Sequence, residues 1–234
     1  MGLADLHMHT IYSYDGTASV SAVLKRARQI GLDIIAITDH DEIKGALKAL
    51  ELAASYDMQV IPGIEITTAE GDLLALNITE KVERDLPLIE TVLKVGERGG
   101  FCIAPHPMAG GFGMKSLSAY SIMKALRNPE AAQILVGLET YNATTIDKMS
   151  NHYAHILGEH LNIARFGNSD AHIAEAIGLG FTEFEGHTTK DLLKAIRKRR
   201  TIVRRKKEWT AVRILGSWAA KYVGRPLTLL ADAA

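Results

Sequence analysis

Cysteine is nearly absent: one residue, Cys102, among 234. That excludes an intramolecular disulfide and any cysteine-rich zinc motif, and it is compatible with a reducing cytosol. Long apolar runs are missing too, since no stretch approaches the roughly 18 residues of a membrane span. Met1 leads almost directly into the first predicted strand, without the basic and apolar segments of a cleavable leader, so the expectation is a soluble cytoplasmic protein. No fixed-period repeat or low-complexity tract interrupts the chain. Net charge is also absent, but only in sum: residues 197–234 hold 11 Lys/Arg and 2 Asp/Glu, and residues 1–196 hold 16 and 25. An acidic body therefore carries a basic tail, two separate electrostatic objects.

At 47% hydrophobic, the chain can bury a full core as one large domain or as one domain with a small appendage. Apolar runs alternate with helical periodicity through the first 200 residues. Val20, Val23, Leu24, Ala27 and Ile30 recur at helical spacing, Gly31 stops the helix, and Asp33 to Thr38 reads as a buried strand. The cycle continues with a helix near 42–55 and strand 59–63, a strand at 72–78, and a helix near 86–98 before strand 101–104. Strand 135–140, a helix near 145–161, strand 163–167, a strand near 178–183 and a helix from about 189 complete it. This alternation predicts an α/β fold with a largely parallel sheet.

Metal-type ligands fall at the ends of these strands. His7 and His9, two apart, point to one face of an extended segment. Thr38-Asp39-His40, Gly63-Ile64-Glu65, Pro105-His106-Pro107 and Ser169-Asp170-Ala171-His172 each follow an apolar run. Strand ends gather on one face of a barrel, where barrel enzymes build their sites. The candidates are His7, His9, Asp15, His40, Glu65, Asp72, His106, Asp170 and His172. Nine ligands exceed one ion, so two or three divalent ions are expected, and mixed imidazole and carboxylate donors suit Mn, Fe or Zn better than Mg.

The ordered blocks His7-x-His9, Asp15-Gly16, Thr38-Asp39-His40, Pro62-Gly63-Ile64-Glu65, Pro105-His106-Pro107 and Ser169-Asp170-Ala171-His172 resemble the PHP (polymerase and histidinol phosphatase) family. The resemblance covers roughly residues 3–205. It implies a distorted (β/α)7 barrel over residues 1–205 and phosphoesterase activity, with residues 206–234 left as a basic, amphipathic helical extension packed on it. By position, His7, His9, Glu65 and Asp170 would hold one ion, Glu65 and His106 a second, and Asp15, His40 and His172 a third, with Glu65, Asp170 and His172 catalytic. Two positions depart from the commoner pattern: Asp15 stands where many members have His, and Asp72 replaces a histidine ligand of the second ion, a harder donor that shifts the expected metal toward Mn or Fe.

Around this set, Asp39 reads either as a group orienting ligand histidines or as a strand-end cap. Lys115, in the glycine-rich loop 107–116 expected over the site, and Arg165 are candidate phosphate clamps, each against plain surface charge. Asn142 reads as a substrate contact or a buried hydrogen-bonded residue. His152, His155, His160 and His187 read as surface or packing residues. The basic runs Arg197 to Arg200 and Arg204 to Lys207 either attract nucleic acid or pack against the acidic barrel or another subunit; the second is favoured. Val212, Leu215, Trp218, Ala219 and Tyr222 predict a terminal helix docked on the barrel. The expected function is metal-dependent hydrolysis of a small phosphorylated metabolite, nucleotide or oligonucleotide end. The alternatives are a 3′–5′ exonuclease and a non-catalytic metal-stabilised binding module.

Overall fold

In the computed structural model, which describes residues 1–110, 114–145, 147–206 and 211–232, strands and helices alternate as the periodicity predicts. The elements run β1 (Gly2–Asp5), α1 (Val20–Gln29), β2 (Ile34–Ile37), α2 (Lys44–Leu52), β3 (Gln59–Thr67), β4 (Asp72–Leu76), α3 (Leu88–Glu97) and β5 (Phe101–Ala104). They continue with α4 (Ala119–Arg127), α5 (Ala131–Ile134), β6 (Leu135–Asn142), α6 (Lys148–His160), β7 (Ala164–Asn168), β8 (Gly180–Phe184), α7 (Thr189–Arg197), β9 (Ile202–Arg205) and α8 (Ala211–Asp232). Local signals set the helix ends. The Ser19 hydroxyl accepts from the Ala22 amide to start α1, and Gly31, at φ +81°, ends it as only glycine does without strain. Thr188 and Asp191 form a reciprocal capping box on α7.

The strands make one sheet in the order β7-β6-β5-β4-β3-β2-β1-β8-β9. It is only half parallel. β1-β2, β2-β3, β5-β6 and β6-β7 are parallel, while β3-β4, β4-β5, β1-β8 and β8-β9 are antiparallel. The expectation of a largely parallel sheet fails here because residues 68–71 are too few for a crossover and turn β3 straight back into β4. The sheet nearly closes into a barrel. Low in the wall, the Thr182 hydroxyl donates to the Gly167 carbonyl at 2.9 Å. At the mouth, Asp170 N donates to His7 O at 2.8 Å and His9 N to Ala171 O at 2.9 Å, across a parallel bridge between Met8 and Ala171.

Side-chain alternation sorts the core into two layers. Ala4, Leu6, Ile34, Ala36, Leu74, Leu76, Ile103, Phe166 and Phe184 fill the interior, with Leu192 and Ile196 of α7 packed against them. Ile35, Ile37, Ile64, Ile66 and Leu138 face outward onto Val23, Leu24, Ala27, Val92 and Val95 of the covering helices. Cys102 belongs to this outer layer, buried and unreactive. Leu6 lies in the inner layer and Met8 in the outer. The alternation thus slips once between them, leaving His7 and His9 both turned toward the mouth.

Candidate metal centre

Donor atoms from four strand ends meet at the floor of the barrel mouth. His7 Nε2 lies 3.0 Å from Glu65 Oε2 and 3.4 Å from Asp170 Oδ1. His9 Nε2 lies 3.2 Å from Glu65 Oε2, 3.1 Å from Asp170 Oδ1 and 3.2 Å from His7 Nε2. These are five of the six edges of a four-atom cage. Ligand bonds of about 2.0–2.2 Å give edges of about 3.3–3.6 Å in a tetrahedron and about 2.8–3.1 Å in an octahedron. The observed spacing fits a single ion. The other Glu65 oxygen, Oε1, lies 3.0 Å from His106 Nε2, making a second group of His7, Glu65 and His106. A third, nearer the rim, joins His9, Asp15, His40 and His172. Asp15 Oδ2 is 3.1 Å from His172 Nε2 and 3.3 Å from His40 Nε2.

Burial alone would neutralise these groups, but each supplies the opposite charge to the next. Burial opposes a charge on His7, yet Asp170, Glu65 and Glu139 outweigh it and hold its pKa well above the usual histidine range. Burial likewise pushes the Glu65 carboxyl up, while His7, His40 and His106 bring it well below the usual range. Asp15 and Asp170 are lowered in the same way, by His172 and His40 and by His7 and His9 respectively. A divalent ion would replace the protons now shared within this network. His9 Nδ1 is buried without a hydrogen-bond partner.

Backbone geometry at the ligands is strained. His106 has φ +26° and Asp170 φ +51°, both in the region that favours glycine. Two bonds hold them there: His106 N donates to Glu139 Oε2 at 2.8 Å, and Asp170 N to His7 O at 2.8 Å.

Above the floor opens a cleft of about 380 Å³. Asp15, His40, Glu65, His106, Asp170 and His172 form its polar base, and Tyr14, Met114, Ile173, Ile214, Leu215 and Trp218 its apolar upper wall. The last three belong to α8, which lies across the mouth.

A family model described as the PHP domain matches residues 5–208. This chain belongs to the PHP family. It is 34% identical over 161 residues to an uncharacterised protein of Methanocaldococcus jannaschii, covering 64% of this chain and 88% of that one. Over 85 residues it is 35% identical to the error-prone DNA polymerase of Mycobacterium bovis, covering 36% of this chain but only 7% of the polymerase. The fold matches that of a two-domain Bacteroides vulgatus protein containing a predicted PHP-like metal-dependent phosphoesterase. The TM-score is 0.68 at 16% identity, over 95% of this chain and 69% of that one.

Several positions expected in the PHP site lie elsewhere or do other work. Asp72 lines the cleft but stands outside all three groups. Its Oδ1 accepts from the Thr67 hydroxyl at 3.1 Å and its Oδ2 from the Lys115 amide at 3.3 Å. Burial, then the nearby Glu65 charge, pushes its carboxyl up to about 6. Asp72 thus ties down the loop after His106. Lys115 itself is exposed and does not line the cleft. Residues 111–113 of that loop lie outside the described residues, as do residues 207–210 and the Val212 side chain. Arg165 sits early in β7, outside the cleft lining, its aliphatic stem against Gly158 of α6. Asn142 is a buried brace with its hydrogen-bonding capacity taken up inside the protein. Its Nδ2 donates to Glu139 Oε2 and Asp170 Oδ2, both at 3.1 Å, and its Oδ1 accepts from Thr144 N and Thr145 N. Asp39 accepts from the Thr10 amide and hydroxyl at 2.6 and 2.7 Å, so it shapes the turn after His9 and makes no hydrogen bond to a ligand histidine.

One carboxylate at the centre belongs to no sequence motif. Glu139, buried in β6, accepts from His7 Nδ1 at 2.9 Å and Asn168 Nδ2 at 2.7 Å on one oxygen. Its other oxygen takes His106 N and Asn142 Nδ2. By accepting a hydrogen bond from His7 Nδ1–H it orients the ring and would leave Nε2 free for an ion, as carboxylates behind metal-binding histidines do.

Proposed function

We propose that this PHP protein hydrolyses a phosphate ester, binding two or three divalent ions (Mn, Fe or Zn) through His7, His9, Asp15, His40, Glu65, His106, Asp170 and His172. The observation that carries the reading is Glu65: one carboxylate presents Oε2 to the His7/His9/Asp170 group and Oε1 to His106. Bound ions in such a pair acidify a water and neutralise phosphoryl oxygens. Glu65 fixes the separation of the two groups. Asp170, held by Asn142, aims its free oxygen at the His7/His9 pair, and Glu139 keeps His7 in the tautomer that donates away from the site. His40 and His172 stand where an ester enters, and α8 shields that entrance from bulk water.

Among the described residues lining the cleft there is no Lys or Arg. Divalent ions held by the histidines and carboxylates of the floor would supply positive charge there, an arrangement suited to a small monoester more than to a long polyanion. A 3′–5′ exonuclease is the second reading, favoured by the likeness to the error-prone polymerase and by the exposed run Arg197 to Arg200. The test is metal analysis of the purified protein, then phosphate release from sugar phosphates, nucleotides and short oligonucleotides, with Glu65→Gln alongside. Release from small esters that Glu65→Gln abolishes supports the proposal. A metal-replete wild type that releases nothing from any of them overturns it, and shortening of oligonucleotides alone gives the second reading.

A further inference from the structure

Helix α8 presents three side chains, Trp218, Tyr222 and Arg225, at spacings of four and three residues on one face. All three donate to backbone carbonyls of a single short loop, residues 11–15. Trp218 Nε1 donates to Asp15 O at 2.9 Å and the Tyr222 hydroxyl to Tyr14 O at 3.1 Å. Arg225 Nη2 donates to Ile11 O at 2.9 Å and also to Ser13 O. Those carbonyls lie in the connection between β1 and α1, outside the strand pairings of the sheet. The same loop carries Asp15, the carboxylate between His40 and His172. Its Ser13 hydroxyl donates to Asp15 Oδ1 at 2.6 Å and accepts from His40 N at 3.3 Å. The loop doubles back so tightly that a Cβ on Gly16 would collide with the Thr10 carbonyl.

We propose that α8 is a positioning element of the metal centre: Trp218 and Arg225, by holding the loop carbonyls, set Asp15 and so complete the rim group of His9, Asp15, His40 and His172. The two floor groups do not need α8. Their donors stand on β1, β3, β5 and β7 ends held by the sheet, by Glu139 and by Asn142. Asp15 of the rim group stands instead on a loop outside the sheet, held by its own backbone bonds, Ile11 N to Ala18 O and Ser13 N to Thr10 O, and from above by the helix. The inference rests on reading the rim group as an ion site. It makes the ion count of the protein depend on residues more than 200 positions from Asp15 in sequence.

The experiment counts ions per chain after loading with Mn and desalting, for the full-length wild type, Trp218→Phe, Arg225→Gln, the double variant, and Arg225→Lys. Trp218→Phe keeps the ring and removes the donor; Arg225→Lys restores a cationic donor. The expected result is three ions in wild type and two in the double variant. The single variants should hold the rim ion about 10–100-fold more weakly, the range seen when groups that orient metal ligands are removed, and Arg225→Lys should recover most of that loss. Lys221→Ala serves as control, because Lys221 anchors α8 through Glu175 at 2.9 Å without touching the loop; it should keep three ions. If the double variant unfolds, the rim-ion affinity of the two single variants decides the same point. Three ions held at wild-type affinity in folded Trp218→Phe and Arg225→Gln, with only a lower Tm, overturn the inference and leave the ion-site reading intact. A wild type that holds only two ions overturns both.

Discussion

Glu139→Gln is the most informative single change, because its cost can be worked from four contacts. The Glu139 carboxylate receives hydrogen bonds from His7 Nδ1, Asn168 Nδ2, His106 N and Asn142 Nδ2, at 2.9, 2.7, 2.8 and 3.1 Å. Every partner is a donor, two on each oxygen. Glutamine has the same shape but turns one oxygen into an NH2, and whichever way the amide is flipped, two donors then face a donor. The site is fully enclosed, so water cannot repair them. A buried donor left unmatched costs about 1–3 kcal/mol, giving a loss of about 2–6 kcal/mol against the about 5–15 kcal/mol that holds a domain together. Urea denaturation of chelated protein measures it, as a lower midpoint at unchanged slope. His7 also loses the group that orients its ring, so ion affinity at the floor should fall about 10–100-fold by titration. A variant within about 0.5 kcal/mol of wild type, retaining its ions, would show that Glu139 supports neither the fold nor the site.

The histidines supply a pH prediction. His7, His106 and His172 have folded-state pKa values raised above the usual range, their carboxylate neighbours outweighing burial. Their contribution is fully present below the unfolded value of about 6.5 and is lost as pH rises through the folded values. Metal-free protein should therefore lose stability above neutrality while ion binding, which displaces those protons, strengthens; the Tm gap between loaded and chelated protein should widen with pH, and a constant gap refutes this. Asp72→Asn should leave the ion count and the order of activating metals unchanged and cost about 1 kcal/mol through the Lys115 amide; a lost ion in metal analysis would return Asp72 to the ligand set. Arg165→Met keeps the stem that packs on α6, and KM for any phosphate ester should stay at the wild-type value; a severalfold rise would place the guanidinium in the site.

The convergence of His7, His9, His40, Glu65, His106 and Asp170 was legible because each stands at or just past an apolar run, so strand period and residue type are read from the same few residues; Asp15, in a loop, has no such run before it. Glu139 was not legible, since it sits inside β6 among Leu138, Thr140 and Tyr141 with no motif around it. The available signal was a carboxylate within a run whose neighbours are all buried, a position that demands partners. β9 was hidden by its own charge. Arg204 and Arg205 read as tail, yet Arg204 pairs with Glu183 of β8 at 3.1 Å, and the Arg205 guanidinium lies 5.9 Å from the Tyr141 ring centre. The antiparallel β3-β4 turn was legible in principle, from the short spacing between Thr67 and Asp72. Arg165 lies near the start of β7 and outside the cleft lining, because proximity in sequence to Asn168-Ser169-Asp170 does not carry a side chain from the early part of a strand to its far end.

The bridge between Met8 and Ala171 closes the barrel between residues that sit in the midst of the ligands, His7 and His9 on one side and Asp170 and His172 on the other. An ion held by His9 and Asp170 would therefore tie together points 161 residues apart. Closing a flexible loop of that length costs about 4–5 kcal/mol in chain entropy alone. An ion bound there would act as a clasp across nearly the whole length of the barrel, holding shut the seam where His9 and Asp170 meet.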